Sequence, residues 1–213
     1  MTSAETSRGR FITLEGGEGV GKTTNVAFVV DHLRHHGIDP VVSREPGGTP
    51  LAEEVRELLL RVRDENMHAL TELLLVFAAR AQHIAEVIEP ALAEGRWVVC
   101  DRFTDATYAY QGGGRSVDTD AIATLEALVQ QSLRPDLTIY LDVAVEIAAA
   151  RISARDHDRF EREQAQFFDA VRQAYLARAE ANPRMRVVDA SNAIATVQTA
   201  IARVLDDFLA QQA

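Results

Sequence analysis

Apolar residues along the chain fall into two alternating patterns, short β-type runs and longer stretches with helical spacing. Phe11-Ile12-Thr13-Leu14-Glu15 reads as a first strand, followed by a glycine-rich turn and a helix through about Arg34, with Gly37 as its stop. Val41-Val42-Ser43 is a short second strand, and Thr49-Pro50 has the makings of a helix start, with threonine as N-cap and proline in the first turn. From about Ala69 to Glu94 the apolar positions Leu70, Leu73, Leu74, Phe77, Ala78, Ala81, Ile84, Ala85 and Ile88 recur at helical spacing, with Pro90 expected to kink the helix or begin a new turn. Further strands are expected at Trp97-Val98-Val99-Cys100-Asp101, at Leu137 to Asp142 and at Met185 to Asp189, with helices filling the intervals. Strands alternating with helices predict an α/β fold: a parallel sheet of about five strands with helices on both faces. No repeat or linker divides the chain, so residues 10–213 read as one domain behind an irregular or disordered tail, 1–9.

Composition changes this picture little. A chain of 213 residues with 47% hydrophobic and 25% charged content suffices for one core. No run of about 18 apolar residues is present, so no membrane span is expected. The first ten residues lack the apolar segment of a secretory signal. A single cysteine, Cys100, can form neither an internal disulfide nor a zinc site, which points to a cytoplasmic setting. The net charge of −10 argues against a general nucleic-acid binder while leaving room for a local basic site. The six histidines show no ligand spacing.

One count is more pointed. Lysine and arginine together number 22, and the only lysine is Lys22. It lies in Gly16-Gly17-Glu18-Gly19-Val20-Gly21-Lys22-Thr23, which matches G-x-x-x-x-G-K-[ST] between a predicted strand and a predicted helix. Such a P-loop turns successive N–H groups toward phosphate oxygens at a helix N-terminus. Lys22 reaches the β- and γ-phosphates, Thr23 can ligate Mg²⁺, and Thr24 completes the nucleotide-binding run. The motif establishes ATP-type binding and is silent on the acceptor. A GTP-binding switch would need D-x-x-G and N-K-x-D, neither of which occurs; a small kinase remains.

Four further strings, Ser43-Arg44-Glu45-Pro46-Gly47-Gly48-Thr49, Phe77-Ala78-Ala79-Arg80, Asp101-Arg102-Phe103 and Tyr108-Ala109-Tyr110-Gln111-Gly112, occur in that order. Together they resemble the motifs of thymidylate kinases, from about Arg10 to the C-terminus. Gln111 to Arg115, Gln-Gly-Gly-Gly-Arg, is similar to the bacterial branch. The resemblance implies ATP as donor, Mg²⁺ as cofactor and thymidine monophosphate as acceptor. It places Arg44, Pro46, Arg80 and Arg102 around the acceptor, Phe77 on the thymine ring, Thr107 and Gln111 near the base edge, and Tyr110 against the sugar. Helical spacing alone would leave Phe77 in the core. Asp101 at a strand end suits either Mg²⁺ or a helix N-cap. For Glu18, beside polyphosphate, the alternatives are solvent or the acceptor's 3′-hydroxyl, and the resemblance favours the sugar.

Arg151, Arg155 and Arg159 recur every four residues, as on a solvated helix face. The resemblance to enzymes that carry catalytic arginines in a closing lid makes residues about 151–160 that lid, with Arg155 first and Arg151 second as arginine fingers; Arg159 is left to a structural role. Lys22, Arg102, Arg151 and Arg155 are thus the expected catalytic groups. The loop Asp189-Ala190-Ser191 is expected against adenine, and the resemblance implies a homodimer through the apolar helix near residues 69–89. The rival readings are a P-loop kinase of another nucleotide or nucleoside and a regulatory subunit without turnover.

Overall fold

The computed structural model describes residues 8–152, 158–160 and 163–212. Five strands, β1 (Phe11–Glu15), β2 (Val41–Arg44), β3 (Val98–Asp101), β4 (Leu137–Asp142) and β5 (Met185–Asp189), form one sheet in the order β2-β3-β1-β4-β5. Every pairing is parallel, with Thr13 opposite Cys100 on one side and Thr138 on the other. A parallel sheet covered on both faces needs near-continuous apolar strands, and all five residues of β1 are buried. Its one neutral polar side chain, Thr13, is satisfied by the Thr138 hydroxyl at 2.8 Å.

Helix α1 (Lys22–His35) packs on one face with the C-terminal α9 (Ile194–Ala210). Val29, Leu33, Ile201 and Leu205 close that core against Ile12, Leu14, Ile139 and Leu141. On the other face Phe11, Val98, Cys100 and Phe103 meet Ile84, Ile88 and Leu92. Gly37 ends α1 as expected: it adopts φ +79° and its N–H reaches the Arg34 carbonyl at 2.9 Å. Thr49 caps α2 (Pro50–Leu60) through Oγ1, which accepts from the Ala52 N–H at 3.1 Å.

The long apolar stretch departs from an ordinary helix. α3 (Ala69–His83) runs into a π-helical turn over Ile84–Ile88 and on into α4 (Glu89–Ala93). Pro90 therefore sits in the first turn of α4, the new turn expected of it, with the chain running on from the π-helical turn. The widened turn before it accommodates a residue that has no N–H and would crowd the carbonyl one turn back. Trp97 lies just outside β3, its carbonyl accepting the Val41 N–H at 2.8 Å.

After β3 come α5 (Thr104–Thr107) and a second π-helical segment, Tyr108–Gly114. Then follow α6 (Thr119–Gln130), α7 (Val145–Ile152) and α8 (Ala165–Ala181). The π segment lies on α8 so closely that a Cβ at Gly114 would stand 2.4 Å from the Phe167 ring. Its Tyr110 joins Tyr140 and Tyr175 in one buried cluster. No helix among the described residues is long and apolar enough to cross a membrane.

Candidate active site

The C-terminal ends of β1, β2 and β3 open into a single cavity of about 850 Å³, lined at one end by the phosphate loop and at the other by Arg44, Pro46, Arg56 and Arg80. Ligands of open parallel sheets bind at this edge, where loops rather than side-chain layers close the strands. Gly16 turns out of β1 at φ +151°, and a Cβ there would lie 2.9 Å from the Leu141 carbonyl. The chain can therefore pass only as glycine. Lys22, in the first turn of α1, folds back over the loop and donates to the carbonyls of Gly16 (3.1 Å) and Gly17 (3.0 Å). Burial first, and the neighbouring Arg102 charge second, push its ammonium below the ordinary lysine range. Glu18, Gly19, Val20, Gly21, Thr23 and Thr24 line the same wall.

Glu18 does not point into solvent. Its Oε1 accepts from Arg102 Nη2 and from the Tyr110 hydroxyl (3.1 Å). Burial alone would raise the carboxyl pKa, yet the Arg102 and Lys22 charges and the two hydrogen bonds outweigh it and hold it at about 2. Arg102 adopts φ +72°, a strained region for a residue with a side chain, and its guanidinium lies 4.6 Å from the centre of the Tyr110 ring. Two backbone contacts hold that turn. The Arg102 N–H donates to the Leu14 carbonyl at 2.9 Å, and the Phe103 N–H donates to Glu15 Oε1 at 2.8 Å.

Glu15 is wholly buried under the loop, its other oxygen taken by the Tyr175 hydroxyl at 2.8 Å. Burial, with the Asp105 carboxylate adding to it, raises its pKa far above the carboxylate range. Asp101 ends β3 with Oδ1 buried and without a hydrogen-bond partner. It does not cap the following helix, whose N-cap is Phe103. An ionisable oxygen left open in a cavity that Thr23 also lines fits the all-oxygen, partly hydrated coordination of Mg²⁺; of the two expectations for Asp101 the N-cap is the one not found.

At the far end, Arg44 is 54% exposed on its side chain, held by Glu53 at 2.8 Å. Arg56 from α2 donates to the Pro46 carbonyl at 3.0 Å. Burial, then the Arg44 and Arg102 charges, push its pKa down. Arg56 was not singled out from sequence, because Glu-Glu-Val-Arg-Glu reads as an ordinary solvated face. An arginine whose charge is disfavoured beside two others in one cavity suits the binding of an anion.

Arg80 is almost fully buried. Its Nε binds Glu45 at 2.7 Å and its Nη2 binds Thr107 Oγ1 at 2.9 Å, while Nη1 is buried with no partner. Glu45 also receives His83 Nδ1 at 3.0 Å, so one buried carboxylate orients the whole group. Gln111 donates Nε2 to Glu72 Oε1 at 2.8 Å, which fixes its amide with the oxygen as the remaining acceptor. Glu45 enters the sequence reading only as part of the Ser43–Thr49 string and Glu72 not at all, because nothing local shows that either carboxylate is buried against an arginine.

One expectation meets a different arrangement. Phe77 is not on the cavity wall; it is 2% exposed, clustered with Leu73 and Ile122. The Arg80 guanidinium lies 4.8 Å from its ring centre and covers it. The wall there is Val76 and Arg80. Arg155 lies outside the described residues. Arg151 does line the cavity, but it donates to the Ala190 (3.1 Å) and Ser191 (3.3 Å) carbonyls, joining α7 to the loop after β5. Arg159, expected to be structural, binds Glu72 Oε2 at 2.6 Å and the Leu59 carbonyl at 2.8 Å, a tie to α2 and α3.

The family model described as thymidylate kinase matches residues 14–201. The chain belongs to the thymidylate kinase family. It is 62% identical over 206 residues to the thymidylate kinase of Chromohalobacter salexigens, covering 95% of this chain and 97% of that one. To the thymidylate kinase of Pseudomonas putida (strain GB-1) it is 61% identical over 199 residues, covering 92% and 95%. Among solved structures, thymidylate kinase from Ehrlichia chaffeensis superposes with a TM-score of 0.74 at 34% identity, covering 93% of this chain and 99% of that one. The sheet order and the loop–arginine cavity described above are thus those of a thymidylate kinase family member.

Proposed function

We propose that the protein transfers the γ-phosphoryl group of ATP to thymidine 5′-monophosphate, giving dTDP and ADP. The observation that carries the reading is one cavity with a phosphate loop at one end and Arg44, Arg56 and Arg80 at the other, with Arg102 held to the loop by Glu18. Two anionic ligands can be held there with their phosphates facing. In this reading Lys22 leaves the Gly16 and Gly17 carbonyls for the β- and γ-phosphates, and Arg102 bridges donor and acceptor. The acceptor phosphate is already an anion near neutral pH, so no general base is required; positioning and charge stabilisation carry the catalysis. Thr23 and Asp101 would hold Mg²⁺, which when bound neutralises charge on the β- and γ-phosphate oxygens. Glu18, ionised and aligned by Arg102 and Tyr110, supplies an acceptor oxygen for the sugar 3′-hydroxyl. A lid over about residues 151–160 brings Arg155, an assignment supported by the family resemblance and not by the spacing, while Arg151 links it to the adenine-side loop.

Base choice follows from two fixed groups. Arg80 Nη1 is a donor without a partner, and the Gln111 amide oxygen is an acceptor. That pair complements the O4 acceptor and N3–H donor of thymine and mismatches cytosine, which presents an amine and a bare nitrogen there. A coupled assay of ADP release with the 5′-monophosphates of thymidine, uridine, cytidine, guanosine and adenosine tests the reading. Preferred turnover of thymidine monophosphate is expected. Turnover of another acceptor without it would replace the substrate assignment, and no turnover at all would favour the regulatory reading.

The homodimer is also proposed. α3 and the turn after it bury Leu73, Phe77, Ile84 and Ile88 but expose Leu70, Leu74, Ala78, Ala81 and Ala85 in one stripe. A stripe of leucines and alanines lets a second copy of the helix approach closely, and its exposure on a monomer is unfavourable.

A further inference from the structure

We propose that His32, His36 and Asp206 form a binding site for a borderline-soft divalent metal ion such as Zn²⁺, joining α1 to the C-terminal helix α9. His32 lies in the last turn of α1 and His36 is its C-cap four residues on, and the two imidazole centres stand 4.8 Å apart on one side. Asp206 approaches from α9, its Oδ1 2.8 Å from His32 Nε2 and 4.0 Å from His36 Nε2. The three donor atoms all lie within 4.8 Å of one another. Tetrahedral Zn²⁺, with bonds of about 2.0–2.2 Å, needs donors roughly 3.4 Å apart, so only small side-chain shifts are required. His36, 46% exposed, and Asp206, 56% exposed, have room to make them.

One imidazole is already set for ligation. His36 Nδ1 lies 2.9 Å from the His32 carbonyl, an acceptor only, so Nδ1 carries the proton and the Nε2 lone pair is left toward Asp206. Neighbouring charges do not compete for the position. Arg34 is held by Asp39 at 2.8 Å and Asp31 at 3.9 Å, and His35 Nδ1 faces the Asp31 carbonyl. The donor set of two nitrogens and one carboxylate favours Zn²⁺ over Mg²⁺, which takes oxygen ligands. The site is therefore distinct from the Thr23–Asp101 position at the opposite end of α1. In the absence of metal His32 Nε2–H donates to Asp206; ligation through Nε2 requires the other tautomer, with the ring proton on Nδ1.

Isothermal titration of tag-free protein with Zn²⁺, without nucleotide and with excess Mg²⁺, tests the site. One Zn²⁺ per chain is expected. His36→Ala and Asp206→Asn should each weaken binding at least about tenfold, while His35→Ala should not. Zn²⁺ at about ten times its Kd should raise the wild-type Tm by roughly 3–6 °C and leave that of His36→Ala unmoved; kinase activity in Mg²⁺ should be equal in both. Zn²⁺ binding that survives in His36→Ala and Asp206→Asn, or absence of binding to the wild type, would overturn the proposal.

Discussion

At the scale of single residues, the acceptor end of the cavity is where the structure adds most. Arg56 joins Arg44 and Arg102 around one opening, and its charge is disfavoured until an anion arrives. Arg56→Ala is expected to raise the KM for thymidine monophosphate roughly ten- to a hundredfold, the loss of a charged hydrogen bond of about 1.5–3 kcal/mol. Its kcat should change little, and initial-rate kinetics at saturating ATP separate the two. Glu15 predicts a pH effect. Burial raises its folded pKa above the unfolded value, so the folded protein holds a proton that the unfolded chain has released. Its contribution to stability is full below the unfolded carboxyl pKa, about 4.3, and is lost as pH rises toward the folded value. Urea unfolding between pH 5 and 7.5 should show wild-type stability falling more steeply with pH than Glu15→Gln, by up to about 1.4 kcal/mol per pH unit. Equal slopes would mean that Glu15 is ionised in the fold.

At the scale of elements, α3 carries two tasks on two faces. Its inner face sets Phe77 beneath Arg80 and packs Leu73 beside Ile122. Phe77→Ala should cost about 3–5 kcal/mol of stability by chemical denaturation, as for a buried aromatic ring removed from a core. A rise in acceptor KM at undiminished stability would instead return the ring to the thymine site. Sequence periodicity found this helix but not its π-helical turn, because a widened turn depends on where carbonyls go and not on which residues are apolar. The arginines of the 151–159 run show the same limit. Spacing of four made them equivalent, whereas the fold gives Arg151 the Ala190–Ser191 loop and Arg159 the Glu72 carboxylate.

At the scale of the whole molecule, the exposed stripe on α3 predicts assembly. Leu74→Glu should convert a dimer into a monomer in light scattering at micromolar protein, since a charge would be buried at the centre of the contact; a wild-type monomer would refute the homodimer. The sequence alone determined the sheet, the phosphate loop and the family, because strand runs, glycine spacing and the ordered motifs are local patterns read within a few residues. It also placed Arg44, Arg80, Arg102, Thr107, Tyr110 and Gln111, each now found on the cavity wall. Tertiary structure alone decided which carboxylates orient them. Glu15, Glu45 and Glu72 come from β1, from the loop after β2 and from α3, and nothing in their local sequence marks them as buried. Burial and pairing arise from elements distant in the chain, and so do the open Nη1 of Arg80 and the bare oxygen of Asp101. A polar atom lacks a partner only relative to everything folded around it, and that is a property of the packed molecule.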